Sequence, residues 1–138
     1  MNRKICVITS SRADYGLLKP FLDELRICET VELQLIVTGS HLSPEFGHTY
    51  KEIEYDGFAI NGKIEILLSS DSPVGISKTM GLALISFAEE FARLKPDIVV
   101  VMGDRYEIFS AVAAAHVSLL PVAHLSGGEV TAGAIDDA

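Results

Sequence analysis

Strand-length apolar runs alternate with longer stretches of helical spacing along this chain, and that alternation constrains its fold more than any other feature. "ICVITS" (Ile5 to Ser10), "VELQLIVTG" (Val31 to Gly39), "GKIEILL" (Gly62 to Leu68), "DIVVVMG" and "LPVAHLSGG" read as strands. Between the first two, Asp14 to Cys28 carries Leu17, Leu18, Phe21, Leu22 and Leu25 at helical spacing. Pro20 is expected in or near the first turn of that helix, where its missing N–H costs little. "SHLSPEFGHTYKEIEYDGF" reads as a loop with a short helix. A long helix follows the third strand, with N-cap candidates among Ser69 to Ser72. It should stop at Lys95, because Pro96 disfavours helix in the residue before it. "RYEIFSAVAAAHVSL" is an Ala-rich helix suited to close packing on a sheet. The order implies an α/β fold with a doubly wound parallel sheet and right-handed crossovers, the alternating third strand lying nearer an edge. Such sheets bind ligands outside the C-terminal ends of their strands.

Composition narrows the ligand. The chain has 138 residues, 49% of them hydrophobic, enough for one core and one domain. With 11 Lys plus Arg against 19 Asp plus Glu, the net charge is −8. An acidic chain without a basic block suits neither nucleic acid nor an anionic membrane, so a phosphate would need locally placed Arg or helix N-termini. "MNRKICVITSSR" lacks the apolar core of a secretory signal, and no run reaches the length of a membrane span. Cys6 and Cys28 are expected as reduced thiols, which with the missing leader points to the cytoplasm.

The strand ends carry the chemistry. After the first come Ser10, Ser11, Arg12 and Asp14. They read either as a phosphate-binding helix start with Arg12 adding a bidentate contact, or as a capped helix with a solvated Arg. No G-x-G-x-x-G or Walker motif is present. After the second strand, His41 and His48 can act as acid, base, substrate contact or plain surface His, and no spacing resembles a zinc set. "GDRYE" ends the fourth: Gly103 allows a tight turn, Asp104 stands at the strand tip, Arg105 can pair with it or with a phosphate, and Glu107 lies one turn into the helix. The bland reading there is a capping Asp with an Arg/Glu ion pair. "HLSGGEVTAGAIDD" ends the fifth, with His124 inside the strand, where the bland reading is a core His. Ser126, Gly127 and Gly128 follow, and then Glu129, Asp136 and Asp137. Carboxylates and two Arg gathered at one sheet edge suit proton abstraction beside a departing phosphate.

"SSRADYGLLKP", "VTGSHL…FGHTY", "INGKIE", "LKPDIVVVMGDRYE" and "HLSGGEVTAGAIDDA" together resemble the hydrolysing UDP-N-acetylglucosamine 2-epimerases, in order and over nearly the whole chain. The resemblance implies the N-terminal Rossmann-like half of a two-domain GT-B fold, spanning 1–138, with the active site in the cleft between domains. It implies loss of the carbon 2 proton as UDP leaves carbon 1, hydration of the resulting glycal, and release of N-acetylmannosamine in a sialic-type acid route. It implies no nicotinamide cofactor, and a homo-oligomer. Under it, Arg12 lies near the UDP phosphates, Asp104 and Asp136 match catalytic acids, and Arg105 and His124 line the site. His41, Glu107, Ser126 and Gly127 are the further expected substrate contacts. Many relatives carry a catalytic Glu two residues after the His, where this chain has Ser126, so Glu129 becomes the candidate for that role. The family's enzymes are far longer, and residues 1–138 alone are expected not to turn over substrate.

Other classes meet specific objections. A GT-B glycosyltransferase half-domain shares the Gly-rich strand ends, but the carboxylates at Asp104, Glu129 and Asp136 suit elimination better than transfer. A phospho-receiver needs an acidic pair after strand one, where this chain has Ser10, Ser11 and Arg12, and an Asp after strand three, which here runs into Leu67, Leu68 and Ser69.

Overall fold

The computed structural model describes residues 2–66 and 71–125. Its strands are β1 (Arg3–Thr9), β2 (Val31–Thr38), β3 (Gly62–Ile64), β4 (Ile98–Met102) and β5 (Val122–Leu125). The α-helices are α1 (Arg12–Ile27), α2 (Tyr50–Tyr55), α3 (Pro73–Leu94) and α4 (Tyr106–Val117), with two 3₁₀ turns at Gly39–Leu42 and Pro44–Phe46. The sheet runs β3-β2-β1-β4-β5 and every pairing is parallel. The short β3 is an edge strand, as its alternation implies.

Period-two alternation splits the core between the two faces. Cys6, Ile8, Ile36, Val99 and Val101 face one way and pack with Phe87 and Phe91 of α3 and with Ile108, Ala111, Ala114 and Ala115 of α4. Val7, Leu35, Val37 and Val100 face the other and pack with Tyr15, Leu18, Leu22 and Leu25 of α1, Ile53 of α2, and Phe58. Small Ala side chains let α4 approach the sheet closely, while Phe87, fully buried, fills the space beneath α3. The chain builds β2 and β3 to one side of β1, then crosses to β4 and β5 on the other. The β1/β4 boundary is therefore the topological switch point, where doubly wound sheets open a crevice.

Local chemistry sets the helix limits. Ser11 is the N-cap of α1 and forms a reciprocal capping box with Asp14. This starts α1 two turns earlier than Pro20 would need, so Pro20 lies inside the helix and the first-turn expectation is corrected. The cap and the buried Tyr15, Leu18 and Leu22 outweigh the loss of one interior hydrogen bond. Ser72 caps α3, and Lys95 closes it in the left-handed conformation immediately before Pro96.

Candidate functional site

The C-terminal ends of β1, β2 and β4 meet through backbone and buried side chains. Ser40 N–H donates to the Ser10 carbonyl at 3.0 Å, joining the ends of β1 and β2. Gly39 makes that approach possible. Its φ is +61°, and a Cβ there would stand 2.6 Å from the Ser10 carbonyl oxygen and 3.2 Å from Glu107 Oε1. The same contact brings in the start of α4, because Glu107 lies in its first turn.

Asp14 is the hub of the β1–α1 turn. Its carboxylate accepts from Thr9 Oγ1, from Ser10 N and Oγ at 3.0 and 2.8 Å, and from Ser11 N at 3.1 Å. Since Thr9 spends its only proton on Asp14, its oxygen receives the His41 Nε2–H at 2.9 Å. That fixes the tautomer of neutral His41, whose Nδ1 then accepts from Thr49 Oγ1 at 2.8 Å. His41 is 0% exposed. Burial pushes its pKa down from the ordinary 6.5, more than the nearby Asp14 and Glu52 push it up. Thr49, which lies within "FGHTY" but is not itself among the expected site residues, belongs to this network. Only the folded path of the 3₁₀ turns brings it to His41.

Arg105 and Glu107 form the second constellation. Arg105 Nε lies 2.5 Å from Glu107 Oε1, and the Glu107 side chain is 1% exposed. Glu107 Oε2 has no hydrogen-bond partner among the described residues. The Glu107 carboxylate, assisted by Asp14, holds the Arg105 guanidinium still more firmly protonated. Asp104 is exposed, and Arg105 rather than Asp104 occupies the N-cap position of α4, without a side-chain cap. Of the pairings open to Arg105, the structure takes Glu107. Gly103 makes the tight turn, with φ of +82°.

Two expected residues make other contacts. Arg12 is 74% exposed and pairs with Glu52 of α2, Nε to Oε2, at 3.4 Å. His124 is exposed on β5 rather than in the core, and its Nε2–H donates to the Gly103 carbonyl at 2.6 Å, tying β5 to the turn after β4. Ser126, Gly127, Glu129 and Asp136 lie outside the described residues. Among the described residues no group of three or more His, Cys, Asp or Glu side chains is arranged to hold a metal ion, and no helix is long and apolar enough to cross a membrane.

Comparison with known proteins gives this edge a context. A family model described as UDP-N-acetylglucosamine 2-epimerase matches residues 23–138. The Campylobacter jejuni GDP/UDP-N,N'-diacetylbacillosamine 2-epimerase (hydrolyzing) is 48% identical over 98% of this chain and 35% of its own length. The Legionella pneumophila UDP-N,N'-diacetylbacillosamine 2-epimerase (hydrolyzing) is 41% identical over 99% of this chain and 36% of its own. Among solved structures, a UDP-N-acetylglucosamine 2-epimerase superposes with a TM-score of 0.83 at 21% identity, covering 98% of this chain and 36% of that one. The Neisseria meningitidis enzyme bound to UDP-GlcNAc gives 0.79 at 21% identity, covering 94% and 34%. The chain thus spans about a third of the length of the relatives it matches. The match extends over most of the chain and includes the ends of β2 and β4 with Gly39 and Glu107, and the chain belongs to the UDP-N-acetylglucosamine 2-epimerase family.

Proposed function

We propose that residues 1–138 are the N-terminal Rossmann-like domain of a GT-B hydrolysing 2-epimerase acting on a nucleotide-linked 2-acetamido sugar. The observation that carries this reading is the 48% identity, over 98% of the chain, to a hydrolysing 2-epimerase. In the proposed reaction a carboxylate at the sheet edge removes the proton at carbon 2. The C–H electron pair forms the carbon 1–carbon 2 double bond as the carbon 1–oxygen bond breaks and the nucleoside diphosphate departs. Hydroxide from water then adds at carbon 1, and a proton returns to carbon 2 on the opposite face, so the sugar leaves as its 2-epimer. Asp104, exposed at the tip of β4, is the carboxylate proposed for proton transfer. Glu129 and Asp136 are the other proposed carboxylates. Arg105 and Arg12 are proposed to supply positive charge for the departing diphosphate. His124, Ser126 and Gly127 are proposed to contact the sugar, and His41 supports the edge from beneath. The product suits a route to sialic-type acids, and the working form is proposed to be a homo-oligomer.

The sugar is proposed to carry two acetamido groups. The relatives at 48% and 41% identity are named for N,N'-diacetylbacillosamine, whereas the Neisseria meningitidis relative named for UDP-N-acetylglucosamine is 34% identical. The test is nucleoside diphosphate release by the full-length protein from UDP- and GDP-linked diacetylbacillosamine and from UDP-N-acetylglucosamine. Faster release from a diacetamido substrate is expected. Preference for UDP-N-acetylglucosamine would overturn the choice of sugar, and no release from any of them would overturn the enzyme reading.

A further inference from the structure

Arg105 is held by an unusual partner. Glu107 is two residues away, in the first turn of α4, and its carboxylate is sealed beneath the sheet edge. Gly39 leaves the space on one side, since a Cβ there would come within 3.2 Å of Oε1. Nothing among the described residues hydrogen-bonds Oε2, so the buried carboxylate depends on the Arg105 Nε–H at 2.5 Å. A buried charge with one partner is strongly coupled to it. The Arg105 side chain is 55% exposed. Holding an Arg through Nε leaves its two terminal NH₂ groups available to a ligand, the fork that matches phosphate oxygens.

We propose that Glu107 is a positioning residue that aims the Arg105 guanidinium at the nucleoside diphosphate of the ligand, and that it acts only through Arg105. The inference rests on the proposed nucleotide-sugar reading, but it concerns diphosphate binding and not the sugar chemistry. A carboxylate merely filling space beneath α4 would affect stability and leave ligand affinity alone. A positioning carboxylate restricts the rotamers of a long side chain before the ligand arrives, so that less freedom is lost on binding.

The test is a double-mutant cycle in the full-length protein: wild type, Glu107→Gln, Arg105→Ala and the double variant, with UDP affinity measured by calorimetry and Tm recorded for each. Glu107→Gln keeps the shape and removes the charge. The expected result is about fivefold weaker UDP binding for Glu107→Gln in the wild-type background and no further loss in the Arg105→Ala background. Arg105→Ala should lower Tm by stranding the buried carboxylate, and adding Glu107→Gln should restore part of it. An equal loss of UDP affinity in both backgrounds, or none in either, would overturn the proposal, as would a wild-type protein that does not bind UDP. Should UDP bind and the cycle behave as expected while no sugar nucleotide is turned over, the positioning role stands and the proposed reaction falls.

Discussion

Two side chains at the sheet edge show how burial separates roles. Asp104 is exposed, with its neighbours' hydrogen bonds directed elsewhere, so replacing it should alter chemistry and spare the fold. Asp104→Asn in the full-length protein is expected to lower kcat about a hundredfold or more while Tm stays within a degree or two, because a positioned acid or base typically contributes that much. An unchanged rate would remove the chemistry from the tip of β4. His41 is the opposite case. Its folded pKa is depressed, so between 6.5 and that lower value the unfolded chain binds a proton that the native protein does not. Stability should be insensitive to this group above about pH 6.5 and should fall as the pH drops below it. Denaturant titrations at several pH values would show the slope, and His41→Asn should remove that component even if it lowers stability throughout.

At the scale of elements, the turn after β2 bears more constraint than its length suggests. Gly39 combines a φ of +61° with a carbonyl oxygen 2.6 Å from where a Cβ would sit. Gly39→Ala is expected to cost about 1–3 kcal/mol, read as a lower denaturant midpoint at unchanged m-value, since strained backbone and steric conflict both act in the native state. Most elements were legible in the sequence because β-branched runs and helical spacing are local signals. Pro20 lies deeper in α1 than its chemistry alone predicts, because the capping box of Ser11 and Asp14, itself visible as residues, fixes an earlier start. The edge chemistry was only half legible. "GDRYE" marks Arg105 and Glu107 as candidates, yet nothing in it reveals that the Glu is sealed and the Asp exposed. Thr49 became part of the site only through the folded path between β2 and α2, which has no sequence period to announce it.

For the whole molecule, the sheet order explains why residues so far apart in the chain converge. With β1 between β2 and β4, Ser10, Gly39 and Glu107 are brought to one edge, the place where a doubly wound sheet receives a ligand. The polar network of Asp14, Thr9, His41 and Thr49 supports that edge from within, and Arg105 is held at its rim. The reaction proposed for this edge is an elimination at carbon 2 of a nucleotide sugar. It is tested most directly by incubating the full-length protein with UDP-N,N'-diacetylbacillosamine in deuterated water and following the sugar by proton NMR. Free UDP together with a 2-epimerised sugar bearing deuterium at carbon 2 is expected. Release of UDP with the original proton retained at carbon 2 would contradict it.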